Sequence, residues 1–239
     1  MHTENPIQSP ARWARVAGVL YLIIILCGVG SEALVRGQLI APGDWERTVT
    51  NLTGNEMMFR LGIMVDVIMA LADVGLGILL YHLLAPGGSV LSLSAMLFRL
   101  MQAAIIGLNL LNLHRVMDLA MQGSAEPWLG VLGLNLLDAH ATGYDMGLFF
   151  FAINCFLVGA LIIRSGWIPG ILGYGIFASG LVYLTGSALH MLIPAFQPAM
   201  APAYLIPLIA ESAFCVWLLA AKIEPQVIGK PSGVGGCVP

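Results

Sequence analysis

Six apolar segments, each long enough to cross a lipid bilayer, constrain this chain more than any other feature of its sequence. A helix needs about 20 mainly apolar residues to cross the hydrocarbon of a membrane. The six segments are Trp13 to Arg36, Met57 to Leu83, Ser89 to Arg115, Gly133 to Ile163, Pro169 to Ile193 and Ala203 to Ala221. Only 10% of the residues are charged, whereas soluble domains carry roughly a quarter. Lipid is therefore expected to cover most of the surface.

The breaks between these segments indicate how the chain is organised. Polar or Pro- and Gly-rich stretches separate the segments at 42–55, 85–88, 122–127, 164–166 and 194–202. The apolar runs are continuous rather than alternating, which favours helices over the strands of a membrane barrel. We expect an all-α, polytopic transmembrane helix bundle of about six spans over residues 13–222. Residues 1–12 would be a short polar segment, and residues 223–239 a flexible tail.

The positions of lysine and arginine predict an orientation, because cytoplasmic flanks are enriched in these residues. With the N-terminus inside, the inner flanks carry Arg12, Arg15, Arg164, Lys222 and Lys230. The outer loops then carry Arg36, Arg47, Arg60 and Arg115. The inner residues are concentrated in short flanks, so we expect a multi-pass protein of the inner (plasma) membrane with both termini cytoplasmic. A cleavable signal peptide is not favoured, because no small-residue cleavage site follows the first apolar run.

Several functional classes lack their signatures in this sequence. No run of basic residues occurs, so nucleic acid is not an expected partner. The four cysteines never form a C-x-x-C pair, which argues against a thiolate zinc site or a disulfide framework. Phosphate-binding loops, dinucleotide fingerprints and H-E-x-x-H motifs are also missing. The pattern identifies no cofactor and leaves open whether the protein is an enzyme.

Short motifs spread along the chain resemble a known family. They include Arg15-x-x-Gly18-x-x-Tyr21 in the first segment and Leu161-Ile162-Ile163-Arg164-Ser165 in the fourth. Glu211 with Trp217-Leu218-Leu219 continues the pattern in the sixth segment. The chain resembles, over nearly its whole length, the bacterial integral membrane proteins grouped as DUF4386. Gly170 replaces the arginine that usually follows the proline of the fifth segment. The resemblance implies a membrane protein and assigns no reaction.

Ionisable residues inside the apolar segments are costly and so point to buried contacts. Asp73 and Arg99 each lie about 13 Å from the short turn that joins the second and third segments, at 1.5 Å per residue. Equal depth on neighbouring helices predicts an ion pair between them. Glu211 lies at similar depth and could compete for the arginine. Such a pair would either fix the register of the helices or bind a charged ligand.

A second polar set maps to the outer half of the bundle once the orientation is assigned. The candidate ligand-binding residues of this set are Asp66, Asn109, Asn112, His114, Asp138, His140 and His190. Histidines near carboxylates suit a metal, a haem or proton transfer. Asp138 and His140, however, point about 200° apart on a regular helix. They could share one pocket only if the start of the fourth segment were irregular.

Three kinds of function fit these features. Polar faces on several membrane helices favour a shared cavity that binds or transports a small solute, lipophilic solutes included. A membrane-embedded metal or haem enzyme is the second hypothesis, and it would show bound metal or visible absorption. The third is an accessory subunit of a membrane complex, in which the polar faces only hold helices together and a partner co-purifies.

Overall fold

Six long helices pack side by side into a closed ring. The computed structural model describes residues 10–123 and 125–220. The six long α-helices are Pro10–Gly30, Glu56–Leu84, Ser89–Ala120, Pro127–Ser165, Gly170–Leu192 and Leu205–Ala220, named here spans 1 to 6 in this order. Each span packs against the next along the chain, and span 6 packs back against span 1. The predicted all-α bundle of six spans is confirmed.

The expected terminal segments fall almost entirely outside the described residues. Span 1 begins at Pro10, so residues 10–12 extend the first helix rather than forming a separate polar segment. Residues 1–9 and the predicted tail, 223–239, lie outside the described part of the chain, as do Lys222 and Lys230.

The outer surface of the ring is apolar, as the lipid environment requires. Six helices are long and apolar enough to cross a membrane, and the sixth reaches that length as Ala199–Ala220, together with the 3₁₀ turns that lead into span 6. Large aliphatic side chains stand exposed on every span, among them Leu26, Leu71, Leu108, Ile171 and Val216. Exposed apolar surface on this scale is unfavourable in water and favourable against lipid tails. The protein is therefore an integral membrane protein with several membrane-spanning helices.

A short helix in the first loop differs from the sequence prediction. The segment 42–55 was expected to be a polar loop, but Trp45–Gly54 is helical. Asp44 caps this helix, since its side chain accepts a hydrogen bond from the Arg47 backbone N–H at 3.0 Å. Trp45 is buried against Gly133 at the start of span 4. Span 4 begins at Pro127, ahead of the Gly133 start that hydropathy suggested, and Trp45 also packs against this added turn at Gly130.

Two apolar cores lie at opposite ends of the ring and leave a polar layer between them. One core contains Ala14, Leu76 and Phe151. The other lies beneath the loop helix and contains Trp45 and Phe59. Along span 2, Asp66 and Asp73 fall between the residues of the two cores. The buried charged side chains Asp66, Asp73 and Arg99 thus lie toward the middle of the bundle, where they position the candidate site.

Candidate functional site

Arg99 of span 3 lies at the centre of the polar layer and is only 2% exposed. Its Nη2 atom lies 2.6 Å from Asp73 Oδ1, an ion pair that is not aligned as a hydrogen bond. Its Nη1 atom donates to Asn154 Oδ1 at 3.4 Å. The guanidinium carbon lies 5.6 Å from the ring centre of Tyr21 and 5.1 Å from that of Phe151. The arginine is therefore held by a carboxylate, an amide and two aromatic faces.

Glu211 of span 6 has different partners, although it was expected to compete for Arg99. Tyr21 donates its hydroxyl hydrogen to Glu211 Oε2 at 3.1 Å, and Tyr183 donates to Oε1 at 2.6 Å. Among the described residues, Glu211 forms no salt bridge. The central layer thus contains two buried carboxyl groups, Asp73 and Glu211, but a single guanidinium.

A cavity of about 420 Å³ adjoins this layer. Residues from all six spans and from the segment leading into span 6 line it. They are Ile24, Ile25, Gly28, Val29, Glu32, Ala33, Met69, Asp73, Gln102, Tyr144, Leu148, Phe151, Tyr183, Tyr204, Pro207, Leu208 and Glu211. Most of the walls are aliphatic or aromatic, and the polar part includes the amide of Gln102 and the carboxyl groups of Glu32, Asp73 and Glu211. The arrangement can hold an apolar body beside a polar group.

Gln102 has an unused hydrogen-bond acceptor at this cavity. Its side chain is buried, and its Nε2 atom donates to Asp73 Oδ2 at 3.2 Å. Because a carboxylate only accepts hydrogen bonds, the amide nitrogen must face Asp73. The opposite atom, Gln102 Oε1, has no hydrogen-bond partner within the described part of the chain. A buried acceptor without a partner is unfavourable, and a ligand donor would satisfy it.

The cavity reaches the side of the bundle between spans 1 and 6. These two spans touch near the start of span 1, where a Cβ added to Gly18 would lie 2.8 Å from Leu219 Cγ. Farther along, Val29 and Leu208 both line the cavity and both remain exposed on the membrane-facing surface. The two helices therefore leave a lateral opening toward lipid.

Asp66, one of the candidate ligand-binding residues, is occupied by the end of span 1. Residues Ser31–Arg36 are π-helical. Ser31 Oγ donates to Asp66 Oδ1 at 2.5 Å, and Arg36 forms an ion pair with Asp66. Residues five apart point about 140° away from each other in a regular α-helix, but the wider π-helix brings them onto one face. This local geometry places Ser31 and Arg36 on the same carboxylate.

Asn109, Asn112 and His140 form a second group, between spans 3 and 4. The Asn109 Nδ2 atom donates to the His140 backbone oxygen at 2.7 Å and lies 3.1 Å from His140 Nδ1. Asn112 Nδ2 donates to Asn109 Oδ1 at 2.9 Å. Gly143 allows this close approach, because a Cβ at that position would overlap the Asn109 side chain. The group holds spans 3 and 4 together.

His190 belongs to a third group, in which Asp145 of span 4 binds two residues of span 5. Ser187 Oγ donates to Asp145 Oδ1 at 2.8 Å, and His190 Nδ1 contacts Asp145 Oδ2. Serine and histidine thus share a carboxylate and are not hydrogen-bonded to each other. This differs from the arrangement of a nucleophile with its base.

The remaining two candidates, His114 and Asp138, are exposed. The seven candidate ligand-binding residues therefore divide between three separate groups and the surface. The cavity lining includes none of the seven, although it includes Asp73 and Glu211 from the expected ion-pair set. In residues 10–123 and 125–220, no group of three or more His, Cys, Asp or Glu side chains is arranged to hold a metal ion.

The residues that sequence reasoning did not single out are mainly aromatic. Tyr21 and Tyr183 bind Glu211, and Asn154 supports Arg99. Tyrosines are common in membrane helices, so their positions alone give no signal. What identifies them is a depth in the membrane equal to that of a carboxylate on a neighbouring span. That comparison requires knowing which spans are neighbours.

Comparison with known proteins assigns the chain to a family. Residues 16–221 match the family model described as a domain of unknown function, DUF4386. The chain is 28% identical over 160 residues to an uncharacterized protein of Archaeoglobus fulgidus, in an alignment covering 66% of this chain and 83% of the relative. No solved structure matches the chain. Since the match extends from span 1 to the end of span 6, this integral membrane protein belongs to the DUF4386 family.

Proposed function

We propose that this protein binds or transports a small, lipophilic solute, and that the cavity between spans 1 and 6 is its binding site. The observation that carries the proposal is the cavity itself. Its volume of about 420 Å³ falls in the range of small-molecule sites. Its walls combine apolar side chains with a few convergent polar groups, as such sites do.

The lateral opening supports a solute that enters from the bilayer. Val29 and Leu208 flank the opening at membrane depth, where lipid tails rather than water are the neighbours. A lipophilic molecule dissolved in the bilayer can reach the cavity without first crossing an aqueous vestibule. We place the protein in the inner membrane with both termini cytoplasmic, so that the cavity belongs to the outer half of the bundle.

This orientation predicts that reporters fused at two positions lie on opposite sides of the membrane. Green fluorescent protein attached after Ala220 should fluoresce, because that end of span 6 would face the cytoplasm. Alkaline phosphatase attached after Gly123, between spans 3 and 4, should be active, because that loop would face outward. Each reporter at the other position is the matched control and should be silent. Phosphatase activity after Ala220 would contradict the proposed orientation.

Blocking the opening provides the test of solute binding. Val29 lines the cavity and is 51% exposed, whereas Val19 on the same helix is 48% exposed and lies outside the cavity lining. Val29→Trp places an indole at the opening, and Val19→Trp places the same group against lipid only. We expect Val29→Trp to weaken binding of the neutral probe 1-adamantanol by tenfold or more, equivalent to about 1.4 kcal/mol.

The measurement is equilibrium dialysis of 1-adamantanol against lipid nanodiscs with and without the protein. The empty nanodiscs report partitioning into lipid, and the difference reports binding to the protein. Val19→Trp should retain the affinity of the unmodified protein to within about twofold, as expected for a surface substitution. Equal binding to both variants, or no saturable binding to the unmodified protein, would overturn the proposed site.

A further inference from the structure

We infer that the solute is a lipophilic amine whose ammonium group lies against Gln102, Asp73 and Glu211. This inference rests on the proposed function, since it names the ligand class of the same cavity. It draws on three independent features of the lining: an unpaired acceptor, an excess of carboxyl groups, and aromatic rings near the acidic end.

The unpaired acceptor selects for a hydrogen-bond donor. Gln102 is 5% exposed and lines the cavity, and its Oε1 atom has no partner in the described part of the chain. An ammonium group carries three donors and no acceptor. A hydroxyl can donate one hydrogen bond, whereas an ionised carboxylate can donate none. The acceptor therefore ranks an amine and an alcohol above a carboxylate.

The charges that face the cavity separate the amine from the alcohol. Asp73, Glu211 and Glu32 line it, and no lysine, arginine or histidine is found among the described lining residues. Glu32 is paired with Arg36, whose Nε lies 2.8 Å from its carboxylate and which also pairs with Asp66. Arg99, which is not part of the cavity lining, forms an ion pair with Asp73. Glu211 has no such partner, so the central layer contains one carboxyl group more than it has cations. An uncompensated negative charge is costly at membrane depth, and a ligand cation would neutralise it.

The rest of the lining suits the remainder of such a ligand. Phe151, Tyr144, Tyr183 and Tyr204 contribute aromatic rings, and ammonium groups are attracted to the faces of such rings. The Tyr183 hydroxyl hydrogen is already used on Glu211. Aliphatic side chains cover the wall toward span 1. The cavity is therefore polar and acidic at one end and apolar along its sides.

A series of probes with one body and three head groups tests the inference. Dialysis at neutral pH would compare 1-adamantanamine, 1-adamantanol and 1-adamantanecarboxylate, which share the same cage. We expect the amine to bind about tenfold more tightly than the alcohol, because hydrogen bonds to charged groups are roughly twice as strong as neutral ones. The carboxylate should bind most weakly.

Two variants locate the preference within the cavity. Glu211→Gln removes a charge at nearly constant size and should reduce amine binding about tenfold while changing alcohol binding by less than about twofold. Glu56→Gln makes the same chemical change at a half-exposed surface pair with Arg60 and should leave both affinities unchanged. If Glu211→Gln does not fold, Gln102→Met takes its place, and it should weaken binding of both donor probes.

The outcomes distinguish this inference from the proposed function. Equal affinity for the three head groups, still weakened tenfold or more by Val29→Trp, would overturn the amine preference and support the solute site. Tighter binding of the carboxylate than of the amine would likewise overturn the amine preference and support the solute site. Binding of none of the three probes would overturn both proposals. Amine affinity that neither Glu211→Gln nor Gln102→Met reduces would show that the ammonium group lies elsewhere.

Discussion

Replacing Asp73 with asparagine is expected to lower the free energy of unfolding by about 3–5 kcal/mol, the usual result of removing one partner of a buried ion pair. Arg99 would keep its charge at the centre of the bundle and lose the carboxylate 2.6 Å away. We expect Glu211 not to replace that carboxylate, because it is oriented toward Tyr21 and Tyr183 and forms no salt bridge among the described residues. The measurement is unfolding of the purified protein in detergent, followed by circular dichroism.

Two further variants test whether the loss of stability comes from the buried ion pair. Asp118→Asn is the matched control, because Asp118 pairs with Arg115 at 3.4 Å on the exposed surface of span 3, and such pairs contribute about 1 kcal/mol or less. The double variant Asp73→Leu with Arg99→Met removes both charges together and should recover most of the stability lost in Asp73→Asn. A double variant as unstable as the single one would show that the ion pair is not the origin of the effect.

Replacing Gly159 with alanine should also destabilise the protein, by about 1–3 kcal/mol. The backbones of spans 4 and 5 touch at this glycine, and a Cβ there would lie 2.7 Å from the Gly173 carbonyl oxygen. A backbone atom cannot move aside as the end of a side chain can, so the two helices would have to separate. Close contact of this kind is how small residues hold membrane helices together.

Gly107→Ala is the matched control for this effect and should have the opposite sign. A Cβ at Gly107, also within a span, would meet nothing within 4 Å. Alanine is favoured over glycine inside a helix by about 0.8–1.0 kcal/mol, so this variant should be as stable as the original or more so. Destabilisation of both variants by similar amounts would mean that loss of glycine, and not helix contact, is responsible.

Hydropathy was sufficient to predict the number and class of the spans, because membrane helices must be long and continuous. It did not predict the helix Trp45–Gly54, which is shorter than a span and is stabilised by the fit of Trp45 against Gly133. The packing order was also not readable from the apolar pattern. It depends on small residues such as Gly18, which lets span 6 approach span 1.

For the candidate site, depth along the helices was the informative quantity. Counting residues from a common turn places Asp73 and Arg99 level with each other, and their side chains lie in contact. Depth alone was less informative about Asp66, because its partners depend on the π-helical turn at the end of span 1. No residue pattern in the sequence predicted that π-helical turn. The cavity itself was not predictable in place or lining, since it arises where spans 1 and 6 diverge.

The order of the polar contacts along the chain has a consequence for how the protein is made. Of the hydrogen bonds and ion pairs between spans described above, all but one join helices that follow each other in sequence. The spans are synthesised in sequence order. The ion pair of Arg36 with Asp66 can form once span 2 has inserted, and that of Arg99 with Asp73 once span 3 has inserted. The exception is the bond from Tyr21 to Glu211, which joins the first span to the last. Each of these two buried ion pairs can therefore form as soon as its second helix has inserted, and the arrival of Glu211 completes the ring.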